Sequence, residues 1–463
     1  MLQAIPVRLP LLVRLFGDRE YYSALVTIAL PVAVQNLVTS SLSMVSVVFI
    51  GQLGEQTVAA LGLANQAFFL LNLALFGLFG GTAMFTAQMW GKRNLEGIHK
   101  VLGLSLALGL LVAMVFFTIA VFFPSQFLSI YSKDLTVVAL GAGYLRVFGT
   151  SYLFFTVTFC FAAVLRSTGQ VRLPVAVSVT ALVINTLQNY ILIFGKFGFP
   201  EMGLKGAALA GLTARILECT ALVAAVYLTR SPLAARLKEM FSFNRAFFWN
   251  IFKSVLPVTA QEIAWSLGVT TYSGIYAHIG TESIAAMNIV GTIDQVGMVL
   301  VFSMGAACAV IVGNQIGAGN LQRAYSYSGW TLRLAVLIGL GVGIALQFFA
   351  PLVLNLYEVS PLVITFAQRI LIVLSCILWI RSGNVILIVG ILRSGGDIRF
   401  SFYLETATMW GIGVVAASIG AFVFHLPVYW VYALAMLDEA TKFTIANWRY
   451  YSKRWIHDLT QTV

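Results

Sequence analysis

ALPVAVQNLV (residues 29–38) and VLPVTAQEIA (residues 255–264) are two versions of one pattern, with Pro31 and Gln35 recurring as Pro257 and Gln261. The same offset of 226 carries Gly54, Ala59 and Ala60 onto Gly280, Ala285 and Ala286, and Gly91-x-x-Asn94 onto Gly317-x-x-Asn320. At an offset of 227, Leu165-Arg166-Ser167-x-Gly169 returns as Leu392-Arg393-Ser394-x-Gly396. Four anchors with one inserted residue argue for two halves built on one plan. In an apolar chain, a duplicated half points to a secondary transporter with its site between the halves.

Hydrophobic residues make up 60% of the 463 and charged residues only 10%, a balance outside the soluble globular range. Apolar runs of about 20 residues, enough to cross roughly 30 Å of hydrocarbon, recur along the chain. Twelve are predicted, near 24–50, 58–90, 100–123, 137–161, 174–195, 205–228, 251–277, 283–313, 327–354, 361–391, 402–424 and 429–450. Backbone polar groups must be satisfied inside lipid, and no alternation suited to a barrel is present, so these runs must be helices. Each half then holds six. An even number makes the two repeats enter from the same side, so the expected fold is an all-α membrane protein of two parallel six-helix bundles related by a pseudo-two-fold axis.

The expected organisation is a cytoplasmic leader at 1–23, an N-terminal bundle at 24–228, a linker at 229–250, a C-terminal bundle at 251–450 and a tail at 451–463. Of the 28 Lys and Arg residues, nineteen fall on the side of the termini, three (Lys133, Lys196, Lys205) on the other and six within spans. The positive-inside rule therefore puts both termini in the cytoplasm of a cell-membrane protein. The net charge of +11 serves topology and the anionic inner leaflet and is no sign of nucleic-acid binding. The leader lacks a signal peptide's short apolar region and cleavage site. Cys160, Cys219, Cys308 and Cys376 all lie in apolar runs and read as small hydrophobes.

Enzyme chemistry has no motif to stand on. There is no Gly-rich phosphate loop ending in Lys-Ser or Lys-Thr, no HExxH pair, and the four histidines are scattered. Charges at membrane depth remain, and their cost makes them functional candidates by default. Glu218, Glu262, Asp294 and Glu405 are the carboxylates read as lying in spans. Glu405 stands near a span end, which suits an interfacial role, and Glu218 follows Arg215 by three residues, a spacing at which the two pair along one helix face. Asp294 and Arg381 read either as a structural ion pair or as site residues. Glu262 lies roughly 14 Å into span 7 at 1.5 Å per residue, with no basic neighbour at helical spacing.

Glu262 aligns with Asn36 across the repeat, Asp294 with Phe68 and Arg381 with Phe154, so the C-terminal half is expected to hold the ion-coupled switch. Trp265, three residues after Glu262, and Tyr272 further along could add cation-π attraction to a lipophilic cation. Pro31 and Pro257 each leave a carbonyl unpaired within a helix.

LPVAVQN (30–36), FIGQLGEQTVAALGLANQ (49–66), LRSTGQVRLP (165–174), NTLQNYILIFGKFGFPEMGLKGAALA (185–210), IVGNQIGAGN (311–320), LRSGGDIRF (392–400) and DEATKFTIANWRYYSKRW (438–455) together resemble the multidrug and toxic compound extrusion (MATE) family over essentially the whole chain. The resemblance implies a twelve-helix antiporter exchanging Na+ or H+ for amphipathic organic cations, with a span-7 Glu as coupling residue in NorM-like members. Glu262 is its counterpart by helix, although its spacing from Pro257 is shorter. DinF-like members use an Asp late in span 1 and another in span 5, where this chain has Ser46 and Asn189. The expected ion and substrate residues are thus Glu262, Asp294, Gln261, Asn36, Trp265, Tyr272, Arg381 and Asn189, with any Na+ bound transiently near Glu262. No cofactor beyond H+ or Na+ is expected. The expected partners are small cationic amphipaths and the lipid bilayer, and the expected state is a monomer. The alternative function is a flippase for a lipid-linked precursor of the same wider superfamily.

Overall fold

The computed structural model describes residues 17–355 and 357–461. Most of the expected leader, with Arg8 and Arg14, and the end of the expected tail lie outside the described residues.

Long helices account for nearly all of the described chain. They are α1 (Arg19–Gly51), α2 (Glu55–Gly91), α3 (Leu95–Phe122), α4 (Leu135–Phe148), α5 (Ser151–Ser167), α6 (Arg172–Phe194) and α7 (Gly203–Leu228). After the linker come α8 (Arg245–Ile279), α9 (Thr281–Gly317), α10 (Leu321–Leu354), α11 (Pro361–Leu392), α12 (Ile398–Val423), α13 (Val428–Ala435) and α14 (Leu437–Tyr451). Pro31 and Pro257 lie inside the continuous helices α1 and α8. The linker is not extended: Leu237–Met240 forms a helical turn, started by Glu239 accepting the Arg236 amide at 3.0 Å.

Among the described residues, nine helices are long and apolar enough to cross a membrane, and α4 with α5, bent by 51°, makes a tenth. The expected spans 7 and 12 are present as α8 and as α13 with α14, but they are too polar or too short to pass by composition. The reason is chemical. Gln261, Glu262 and a run of Ser and Thr sit in α8, and Asp438, Glu439 and Lys442 sit in α14.

The repeat is written into local geometry. α2 and α9 are both 37 residues long and begin 226 residues apart. Both end in the same turn: Arg93 and Gly319 are left-handed at φ 59° and 78°, and the amides of Asn94 and Asn320 each donate 2.9 Å back to the carbonyls of Met89 and Gln315. An αL residue after a helix caps its last carbonyls, and only glycine adopts it without a Cβ penalty. Gly169 and Gly396, at φ 80° and 86°, repeat the device after Leu-Arg-Ser.

The helices group into two compact units. One comprises Pro31–Ile263 with residues 459–461, and the other comprises Ala264–Asp458 with residues 17–30. α1 and α8 therefore each contribute to both, changing unit at Pro31 and after Ile263. In the first unit α2 packs on α3, α4 and α5, and α6 packs on α7. In the second, α9, α10 and α11 pack on one another, and α13 and α14 cover α11. Cys160, Cys219 and Cys308 are buried as expected, whereas Cys376 is exposed on α11, where the apolar run faces outward instead of into the core.

Candidate functional site

Glycine sets the position of Gln261 and Glu262. A Cβ at Gly77 of α2 would stand 2.6 Å from the Thr259 Cα, and one at Gly81 would stand 3.0 Å from the Val255 Cα. With no side chain at these two positions, one turn apart, the first part of α8 lies directly on α2. Gln261 is fully enclosed and Glu262 is only 9% exposed. Asn36, the repeat counterpart of Glu262, is half-buried on α1.

Beyond Ile263, α8 turns its aromatic residues to different surroundings. Trp265 is 43% exposed, whereas Tyr272 is 8% exposed and stacked on Tyr276 at 6.4 Å between ring centroids. The two rings share a helix face by phase, yet the structure does not bring them together as a cage. Phase decides direction, and what stands opposite decides burial. Trp265 has open surroundings, while α12 and α14 close over Tyr272: a Cβ at Gly413 would overlap its hydroxyl and stand 3.0 Å from the Asp438 Cβ.

Asp294 and Arg381 meet. Arg381 Nη1 donates to Asp294 Oδ1 at 2.8 Å, joining α9 to α11, with each side chain about four-fifths buried. A larger polar cluster continues from this pair. Asn384, one turn after Arg381, donates 2.6 Å to Glu439 Oε2 and 2.8 Å to the Glu439 carbonyl. Lys442 stands 3.1 Å from Glu439 Oε1 and 3.6 Å from Asp438 Oδ2. Asp438, Glu439 and Lys442 are the residues that the sequence reading missed as intramembrane charges. The signal was there: DEATK places an acid pair one turn before a lysine inside the expected span 429–450. π-helical turns at Ile386–Leu392 and Met409–Gly413 border the cluster, a deviation often found at functional sites.

The other unit holds a cavity of about 270 Å³ lined by Ser46, Asn65, Phe68, Tyr144, Asn189 and Glu218, among others. Asn189 donates to Ser46 Oγ at 3.4 Å and to Asn185 Oδ1 at 3.3 Å, so the two positions that differ from the DinF-like pattern do face each other. Arg215 and Glu218 pair at 2.7 Å as their spacing predicted. Ser178 donates 2.6 Å to the second carboxylate oxygen, and the guanidinium lies 4.9 Å over the Phe155 ring. This carboxylate is fully engaged, which suits a fixed structural role. Among the described residues no group of three His, Cys, Asp or Glu side chains is arranged to hold a metal ion.

A family model described as MatE matches residues 31–191 and again 257–419, the two matches starting at Pro31 and Pro257. The chain is 24% identical over 410 residues to the uncharacterized transporter YisQ of Bacillus subtilis (strain 168), covering 88% of this chain and 89% of YisQ. It is 25% identical over 396 residues to the probable multidrug resistance protein YoeA of the same organism, covering 84% of each. A crystal structure of MATE in complex with MaL6 superposes with a TM-score of 0.83 at 21% identity, covering 96% of this chain and 99% of that one. That likeness establishes a shared fold.

Proposed function

The chain belongs to the MatE family and is a multi-pass membrane transporter of the multidrug-efflux kind, and from that premise we propose that it is a secondary active antiporter exporting amphipathic organic cations in exchange for H+ or Na+. The observation that carries this reading is Glu262: a carboxylate only 9% exposed, in a helix clamped to α2 through Gly77 and Gly81. Enclosing an ionisable acid away from water is costly, and a cation bound to it offsets part of that cost. A coupling ion and a cationic substrate that alternate on Glu262 would give exchange. Gln261 and Asn36 supply neutral hydrogen-bonding groups on the two repeat-related helices.

The basic bias toward the side of the termini supports a cell-membrane location with both termini cytoplasmic. The transporter is read as acting as a monomer. The test is export of a fluorescent cation measured as its uptake into everted vesicles, with a pH gradient and a Na+ gradient imposed separately. Efflux that answers to one of them supports the reading, and efflux indifferent to both contradicts it.

A further inference from the structure

The charges in the α9–α14 cluster do not balance. Asp294, Asp438 and Glu439 face Arg381 and Lys442, and Glu405 lies within electrostatic reach of Lys442 as a further acid. Asp294 is taken by Arg381, and Glu439 is held by Lys442 and the Asn384 amide. Asp438 is the residue left short. Its Oδ2 stands 3.6 Å from Lys442, while its Oδ1, in a residue 3% exposed, has no hydrogen-bond partner.

An independent observation points at the same spot. The Tyr272 hydroxyl, also buried and without a hydrogen-bond partner, comes from α8 and stands with Asp438 against Gly413. Charged and titratable groups within electrostatic reach of Asp438 come from four elements. They are Lys442 and Glu439 on α14, Arg381 on α11, Tyr272 and Tyr276 on α8, and Tyr432 on α13. A buried carboxylate oxygen without a donor is unfavourable, and a proton on that oxygen removes both the charge and the deficit. A bare Na+ would have to sit beside the Lys442 ammonium, whereas a proton adds to the oxygen itself.

We propose that Asp438 is a proton-binding residue of the transport cycle, with the Tyr272 hydroxyl as the hydrogen-bond partner of its carboxylate. The step is balanced: a proton from water forms one O–H bond on Oδ1, no other bond breaks, and the proton returns to water when the cationic substrate binds. This inference rests on the antiporter reading above and names a carboxylate on α14, separate from Glu262.

The test measures proton release when tetraphenylphosphonium binds to the full-length protein in detergent, in weak buffer with a pH indicator. The wild type should release protons on binding. Asp438→Asn should still bind tetraphenylphosphonium but release fewer protons than the wild type, the remainder coming from Glu262. Release from Asp438→Asn equal to wild type overturns the proposal and leaves the antiporter reading standing. Wild-type binding with no release at any pH, and with dependence on Na+, overturns both this proposal and the proton form of that reading. If Asp438→Asn does not fold, Tyr272→Phe removes only the hydroxyl. Loss of the hydroxyl should shift the midpoint of release, and an unmoved midpoint overturns the proposal.

Discussion

Arg381 and Asp294 are joined by a 2.8 Å ion pair that ties α11 to α9, with both side chains mostly enclosed. Removing one partner of such a pair leaves an uncompensated charge, a loss of about 3–5 kcal/mol. Asp294→Asn and Arg381→Ala are each expected to lower the unfolding temperature of the purified protein, and the double change should recover part of the loss. If Asp294→Asn keeps wild-type stability but loses efflux, the carboxylate is a ligand for ion or substrate and the structural reading of the pair fails.

Gly77 and Gly81 predict a second stability effect. A Cβ at Gly77 would approach the Thr259 backbone to 2.6 Å, and backbone yields less readily than a side-chain tip. Gly77→Ala should cost roughly 1–3 kcal/mol from overpacking and reduce efflux by displacing the part of α8 that carries Glu262. Gly80→Ala, at a position open on all sides, is the control. Thermal unfolding and efflux measured on both variants check it: equal behaviour of the two would show that close docking of α8 on α2 does not matter.

The halves should also answer differently to matched substitutions. Asn36→Ala removes a neutral hydrogen-bonding group worth about 0.5–1.5 kcal/mol and should weaken transport modestly. Asn36→Asp in a Glu262→Gln background places the acid at the repeat-related position, and gradient-driven efflux should stay absent. Restored efflux would mean that either half can host the ion.

Much of this was legible before the structure because the repeat is carried by local features. Arg93 and Gly319 must be left-handed to cap α2 and α9, and a following Asn marks each turn. The Arg215–Glu218 pair was readable for the same reason, since three residues along a helix fix a contact. Asp438, Glu439 and Lys442 were passed over because a run judged by its apolar average hides three charges near its middle. Asn384, which donates to Glu439, lies more than fifty residues away in the chain. Trp265 and Tyr272 show the same limit. Helical phase put them on one face, but only the approach of α12 and α14 buries one and leaves the other open.

The central claim is that Glu262 couples ion and substrate. The most direct measurement is efflux activity, read as uptake of a fluorescent cation into everted vesicles carrying wild type or Glu262→Gln, under a pH gradient and then a Na+ gradient, with protein in the membrane matched between samples. The account predicts that wild-type efflux follows one of the two gradients and that Glu262→Gln shows none under either. Efflux by Glu262→Gln at the wild-type rate would contradict it.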